Sequence, residues 1–391
     1  MRIRYILMPI IALTAVTLSA FAQYPTTINR AIQSMVDEYR QANQLGAYTL
    51  AISFPDEQAP RIYNSGHTSK TNSNPVNIGS LFQVGSISKS FVAATILQLQ
   101  QDNLLSIDDT IGSWLPEYKQ WSNITIKQLL NHTSGIYNYT DSTSLKNKYM
   151  QDPMMELKDR ELIGYAEKES LYFEPGQGWH YSNTGYVLLG LIIEKATGKK
   201  VETVIEEQLL NNPQLSLQNS YYVTHIAPQY IQDRMIHGYY EYSADNAVDV
   251  TPLSLSWAKS AGSIVSNSYD ITHWIRMVFS GRVFDNESMS DFTEVVSVKS
   301  GQLLAKLTEE DDVGYGLGIQ VYQTGLKKVD IVWWHSGGTL GYKSLMVWLP
   351  KQRIAITLDE NKVIAGHEVS TMPYIKSELI CKILNIIEKY S

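Results

Sequence analysis

Phe82-Gln83-Val84-Gly85-Ser86-Ile87-Ser88-Lys89 leads into a predominantly apolar run over residues 91–99. A run of that kind reads as a helix buried on all sides. Gly85 precedes it, which puts the Ser86 hydroxyl at a helix N-terminus inside the core. Lys89 follows three residues later, so the helix stacks its amine one turn from that hydroxyl. Such a pair suits acyl transfer, with a nucleophile and a base beside it.

Two distant pieces supply what that chemistry still needs. Tyr181-Ser182-Asn183 brings a phenol that can hand a proton on. His335-Ser336-Gly337 follows the strand-like Ile331-Val332-Trp333-Trp334, and Gly337-Gly338 leads into Leu345-Met346-Val347-Trp348-Leu349. That is a strand, turn and strand able to line the far wall of a cleft. Ser256-Trp257-Ala258-Lys259 repeats the first pattern, and Lys299-Ser300-Gly301 imitates the third. Ser256 lacks the preceding glycine, and Ser260-Ala261-Gly262 reads as a helix break. Lys299 sits in a polar stretch with no partner strand. Alone, each motif is more often a solvated helix face, a loop or a turn. Their joint occurrence in these settings reverses the odds.

Other chemistries leave no comparable trace. There is no Gly-x-Ser-x-Gly elbow and no His-Glu-x-x-His, and the single Cys381 excludes a cysteine pair for zinc or an internal disulfide. Gly314-Tyr315-Gly316-Leu317-Gly318 lacks phosphate-loop spacing and runs into Ile319-Gln320-Val321-Tyr322, so it reads as a strand. His132 and His180 have no i,i+4 partner, which favours structural hydrogen bonding over metal ligation. No metal and no cofactor are expected.

Residues 1–22 have the form of a secretory signal. Arg2 and Arg4 precede an apolar run over residues 6–18, and Ala20-Phe21-Ala22 forms a small-residue cleavage site before Gln23. No cysteine follows it for lipid anchoring, and no later stretch is apolar for long enough to span a bilayer. The expectation is an exported protein, periplasmic or secreted, with no stable membrane anchor. The formal charge of -7 becomes -9 without Arg2 and Arg4. That acidity argues against nucleic acid and against an anionic membrane surface as partners.

A hydrophobic content of 44% supports a large core. Ile28, Ala31, Ile32, Met35, Val36 and Tyr39 mark an amphipathic helix, and strands are expected at residues 47–54 and 61–64. Further strands fall at residues 313–322, 331–334, 344–349 and 354–358, before a last helix with Ile375, Leu379, Ile383, Ile386 and Ile387 on one face. Between the strand-rich ends lies a helix-rich stretch. The fold class is therefore α+β, an antiparallel sheet flanked by helices with an inserted all-helical lobe. Residues 23–85 and 259–391 form the sheet lobe and residues 86–258 the helical lobe. The active site is expected in the cleft between them.

Several segments resemble a known family. The nucleophile segment at residues 82–89, Leu129-Leu130-Asn131-His132-Thr133-Ser134-Gly135-Ile136, Glu174-Pro175-Gly176 and Tyr181-Ser182-Asn183-Thr184-Gly185-Tyr186 look like landmarks of the penicillin-recognising serine hydrolases. These comprise class C-type β-lactamases, serine D-alanyl-D-alanine carboxypeptidases and related esterases and D-amino-acid peptidases. The resemblance implies an acyl-enzyme on Ser86, with Lys89 and Tyr181 as candidate bases. It also implies an oxyanion hole from the backbone N–H groups of Ser86 and Gly338. Asn183 can bond both Lys89 and a substrate amide, while His335, Ser336 and Gly337 would bind the substrate's carboxylate end. His335 stands where such β-lactamases generally carry Lys; His-Ser-Gly with Tyr-Ser-Asn is more like the carboxypeptidase and esterase branch. The function implied is a D-alanyl-D-alanine carboxypeptidase-type peptidase. An esterase, a class C-type β-lactamase or a non-turnover protein binding peptidoglycan or β-lactam are the alternatives. The partner is a small peptide, ester or β-lactam.

Overall fold

The computed structural model describes residues 26–243, 246–326, 329–365 and 372–390; the expected signal segment lies outside the described residues. Eight strands form one sheet: Ala47–Ser53 (β1), Arg61–Gly66 (β2), Val296–Ser297 (β3), Val313–Tyr315 (β4), Gln320–Leu326 (β5), Val329–Gly338 (β6), Lys343–Leu349 (β7) and Ile354–Glu360 (β8). Their order is β2-β1-β8-β7-β6-β5-β4-β3, and every neighbouring pair runs antiparallel. The helices that matter for the site are Thr26–Ala42 (α1), Ser88–Gln101 (α2), Asn183–Thr197 (α3), Ser268–Phe279 (α4) and Met372–Tyr390 (α5).

Every residue of β1 is buried, so both faces of the sheet need cover. On one face Tyr48, Leu50 and Ile52 join Ile28, Ile32 and Val36 of α1 and Ile380, Ile383, Leu384 and Ile387 of α5 in one apolar cluster. Each such side chain contributes roughly 1.5–3 kcal/mol on burial. The side chains of Ile375 and Leu379, expected on the same helix face, lie outside the described residues.

The other face of β1 meets α4 in step. Ser268 Oγ donates to Thr49 Oγ1 at 2.9 Å, Thr272 Oγ1 to the Ala51 carbonyl at 3.4 Å, and Arg276 Nη1 to Ser53 Oγ at 2.6 Å. Four helix residues rise about 6 Å and two strand residues about 6.7 Å, so the contacts repeat without drift. Helix α2 lies deeper, with Phe91 stacked on Trp274 of α4 at 4.1 Å between ring centroids. It shares a core with α3 through Val92, Ile96, Val187 and Leu188.

Three local features differ from the sequence reading. Residues 313–322 form two strands, β4 and β5, joined by a turn in which Gly318 has φ +77°. A Cβ there would stand 2.7 Å from the Lys89 carbonyl, so the chain must bend away from α2 instead of continuing straight. The stretch at 86–258 also holds short strands at Tyr221–Tyr222, Tyr239–Ser243 and Asn246–Asp249. Lastly, β6 runs through Gly338, which places His335-Ser336-Gly337 within a paired strand and not at its turn.

Candidate active site

Ser86 sits in a 3₁₀ turn, Gly85–Ile87, that opens onto α2. It is the one partly exposed residue between Ser80 and Leu97; all the others are buried. Gly85 adopts φ +51°, a left-handed conformation suited to glycine. A Cβ on Gly85 would lie 2.6 Å from the Gly338 nitrogen, and one on Gly337 would lie 1.8 Å from the Val84 carbonyl oxygen. The end of β6 therefore presses its backbone against the nucleophile turn, bringing Gly338 beside Gly85 and Ser86. Ser88 fastens the turn from behind: its Oγ donates to the Gly85 carbonyl at 2.7 Å and accepts from the Ile264 N–H at 3.0 Å.

Lys89 is fully buried. Its Nζ lies 3.1 Å from Ser86 Oγ, 2.8 Å from Asn183 Oδ1 and 2.7 Å from the Ala261 carbonyl. The rings of Tyr181 and Tyr186 stand 4.8 and 5.1 Å away. Ring faces attract an ammonium by roughly 1–2 kcal/mol, less than the several kcal/mol that removing such an ion from water costs. Burial accordingly holds the Lys89 amine well below the usual lysine range. A neutral amine has two N–H groups, which suit Asn183 and Ala261, and one lone pair, which then faces the Ser86 hydroxyl.

Tyr181 hydrogen-bonds Ser86, but burial outweighs that bond and pushes the phenol well above its usual range. The two candidate bases thus separate by protonation state. These directions favour Lys89 as the acceptor and Tyr181 as the neutral donor. Burial disfavours a Tyr181 phenolate at rest.

Asn183, the first residue of α3, is fixed from three sides. Its N–H donates to Asn138 Oδ1 at 3.0 Å, its Nδ2 donates to Thr140 Oγ1 at 3.1 Å, and its Oδ1 accepts from Lys89. Ser336 is partly exposed, Gly337 buried and Gly338 exposed, so the end of β6 does present a polar edge beside Ser86.

His335 departs from the expectation of a direct bond to a substrate carboxylate. Its side chain is turned inward and only 1% exposed. Nδ1 lies 2.6 Å from the Ser336 carbonyl and Nε2 lies 3.0 Å from the Tyr315 hydroxyl, so both ring nitrogens are engaged within the protein. The same hydroxyl lies 3.2 Å from His132 Nε2, and His132 Nδ1 accepts from the Ser182 N–H at 3.2 Å. His132 is buried at φ +66°, with its ring centroid 4.4 Å from that of Tyr181. Its role in hydrogen bonding is as expected, whereas Tyr315 and the Ala261 carbonyl escaped sequence reasoning. For Tyr315 the available signal was a tyrosine between two glycines. A Cβ on Gly314 or Gly316 would meet Val295 at 2.0 Å or the Phe292 carbonyl at 2.5 Å, which shows how tightly that segment is packed.

The two decoys lie elsewhere. Ser256 is fully buried; its Oγ accepts from the Leu157 N–H and the Ser254 hydroxyl at 2.8 Å each, and donates to the Met155 carbonyl at 3.1 Å. Lys299 is more than half exposed and faces Asp312 at 3.8 Å. A polar cavity of about 640 Å³, lined by Thr68, Asn77, Arg234, His237 and Asp249 among others, contains none of the motif residues. It is the geometry around Ser86, not cavity size, that marks the site. Among the described residues no cluster of three or more His, Cys, Asp or Glu could hold a metal ion, and no helix is long and apolar enough to cross a membrane.

Comparison with known proteins agrees with this geometry. The family model described as Beta-lactamase matches residues 29–371. Penicillin-binding protein 4* of Bacillus subtilis (strain 168) is 30% identical over 314 residues, 77% of this chain and 65% of its own length. Protein flp of Staphylococcus aureus (strain COL) is 25% identical over 78% of this chain and 56% of its own. The chain thus spans less than two thirds of these curated relatives. Coverage is near complete for two solved structures. D-amino acid amidase from Ochrobactrum anthropi SV3, complexed with D-phenylalanine, is 26% identical with a TM-score of 0.78 over 93% of this chain and 99% of its own. D-stereospecific amidohydrolase from Streptomyces sp. is 27% identical with a TM-score of 0.73 over 86% and 95%. A family match that runs from α1 past the end of the sheet, on a backbone shared with these amidohydrolases, makes the chain a member of the β-lactamase family of serine hydrolases.

Proposed function

We propose that the protein is an exported hydrolase that cleaves peptide bonds next to D-amino acids through an ester on Ser86, with D-alanyl-D-alanine-type peptides of the cell wall as its leading substrates. The observation that carries this reading is the buried Lys89 amine, set 3.1 Å from Ser86 Oγ with acceptors for its other hydrogens supplied by Asn183 and Ala261 and held by burial below the usual lysine range. Lys89 takes the hydroxyl proton as Oγ bonds the substrate carbonyl carbon. The oxyanion that forms faces the N–H groups of Ser86 and Gly338. As the C–N bond breaks, Tyr181 gives its proton to the leaving amine and recovers one from Lys89. Water then attacks the ester, its proton passes back along the same groups, and the acid leaves. Asn183 orients the substrate amide, and the Ser336 hydroxyl bonds the end of the substrate. No cofactor enters any step. Export rests on the signal-like residues 1–22.

Similarity to penicillin-binding and D-amino-acid-cleaving proteins supports this substrate class. A second reading, amidase or esterase action on substrates without a free carboxylate, is favoured by the inward-turned His335, which offers no ring nitrogen to the cleft. The test is turnover of a D-Ala-D-Ala peptide and of its C-terminal amide, with mass spectrometry after incubation with a fluorescent penicillin. An adduct on the Ser86 peptide together with release of D-Ala supports the leading reading. Release from the amide alone supports the second. Absence of both adduct and turnover would sink the hydrolase assignment to these substrates.

A further inference from the structure

A single hydrogen-bond chain crosses the site beneath the catalytic residues. It runs from the Ser182 N–H to His132 Nδ1 at 3.2 Å, from His132 Nε2 to the Tyr315 hydroxyl at 3.2 Å, from that hydroxyl to His335 Nε2 at 3.0 Å, and from His335 Nδ1 to the Ser336 carbonyl at 2.6 Å. Its ends lie on opposite walls of the cleft. Ser182 follows Tyr181 and precedes Asn183, while Ser336 lies two residues before Gly338.

The two ends fix the state of one nitrogen on each histidine. A backbone N–H can only donate, so His132 Nδ1 must carry a lone pair and its proton sits on Nε2. A carbonyl can only accept, so His335 holds a proton on Nδ1, and in the neutral ring Nε2 is left to accept. With His335 neutral, the Tyr315 hydroxyl accepts the His132 N–H and donates its own proton to His335. The two histidines are then neutral and in opposite tautomers. Burial also holds His132 well below the usual histidine range. Burial pushes the Tyr315 phenol far above its usual range, so it keeps its proton.

We propose that Tyr315 is a positioning residue, which by donating to His335 Nε2 holds His335 as its neutral Nδ1–H tautomer and sets the spacing between the Ser182 and Ser336 walls of the cleft. The competing arrangement turns the Tyr315 proton toward Tyr186, whose own hydroxyl donates to the Leu130 carbonyl at 2.8 Å, and leaves His335 an imidazolium. Besides Tyr315 and Tyr186, the titratable groups packed around the chain are Lys89, Tyr181 and His180.

The two arrangements differ in an observable that needs no substrate. Long-range ¹H–¹⁵N spectra of the histidine-labelled protein at pH 7, assigned with His132→Gln and His335→Gln, should show His132 as the Nε2–H tautomer and His335 as the Nδ1–H tautomer. An Nε2–H or imidazolium signal for His335 would overturn the proposal. The kinetic arm rests on the hydrolase reading and uses Tyr315→Phe, which keeps the ring and removes only the hydroxyl. With whichever D-amino-acid substrate the wild type turns over, kcat should fall about tenfold with KM changed less than about threefold, and the His335 signal should lose its single tautomer. An unchanged kcat, or an unchanged His335 signal in the variant, would show that the hydroxyl positions nothing. Wild-type inactivity with the correct tautomers would count against the substrate class and leave the relay standing.

Discussion

A Cβ built on Gly337 would stand 1.8 Å from the carbonyl oxygen of Val84. A side chain there requires the backbone to move, because the atom it would meet is a backbone carbonyl within the core. This contact holds the end of β6 against the turn that carries Ser86, and with it the spacing of the Ser86 and Gly338 N–H groups. Gly337→Ala should therefore act as a site mutation as much as a packing mutation. Its kcat/KM is expected to fall at least about 100-fold, the size of losing one oxyanion donor. Steady-state kinetics beside a thermal melt checks this: near-normal kcat/KM in a folded variant would mean the strand end can shift freely.

The nucleophile is separable from its decoy by labelling. Ser86→Ala should abolish covalent attachment of a fluorescent penicillin, since it removes the attacking oxygen and leaves the fold intact. Ser256→Ala removes a hydroxyl bonded to Leu157, Ser254 and Met155. It should keep its labelling while losing roughly 1–2 kcal/mol of stability. Intact labelling in the Ser86 variant would displace the whole assignment.

The pattern of what could be read from sequence follows from how far each contact reaches along the chain. Ser86 and Lys89 lie one helical turn apart, and the apolar run after them marks the helix, so their meeting is local. The strands of the sheet announce themselves by composition, and β1, β6, β7 and β8 fall close to where the sequence places them. Lys89's third partner is a backbone carbonyl 172 residues away, and a carbonyl carries no residue identity that a motif could show. Ser260-Ala261-Gly262 is legible as a break, but not as a contact. Tyr315 meets His132 across 183 residues. Its glycine neighbours suggest only a strand because the tight approach of Val295 and Phe292 belongs to tertiary packing. The inward turn of His335 is a side-chain rotation inside a correctly placed strand, and alternation along a strand does not fix it.

Lys89 links activity to stability through pH. Its pKa lies well below the usual lysine value in the folded protein, whereas the unfolded chain restores the ordinary value near 10.4. Between these two values the unfolded state binds the extra proton, so stability rises with pH across that window. The penalty of keeping the amine neutral is full below the window and vanishes above the unfolded value. Lys89→Met has no proton to gain. Its activity should drop by about 10³ or more, and wild type should gain on it in unfolding free energy as pH climbs from 7 to 9. Parallel pH slopes in denaturant titrations of the two proteins would show that Lys89 is charged when folded.

Asp359 offers a test with the opposite sign. Strand register lines up Thr49, Asp359, Ser344 and Gly337 across four neighbouring strands, so this carboxyl lies two strands from the glycine that touches Val84. It is fully buried, and neither carboxyl oxygen finds a hydrogen-bond partner of ordinary geometry. Burial raises its pKa to about 7, and the nearby Ser344 and Thr49 hydroxyls ease its charge only in part. The unfolded chain has the ordinary value near 3.9. From about pH 4 to pH 7 the folded state therefore holds the proton that the unfolded state has lost, and stability declines as pH rises. Above pH 7 the accumulated loss approaches roughly 4 kcal/mol. Asp359→Asn keeps the shape and cannot ionise, so it should be more stable than wild type at pH 8.5, with the advantage shrinking toward pH 5. Equilibrium urea unfolding at both pH values decides it. A variant equally stable relative to wild type at both would mean that Asp359 does not change its protonation on unfolding in this range, and that the sheet beside the Ser86 turn carries a satisfied charge.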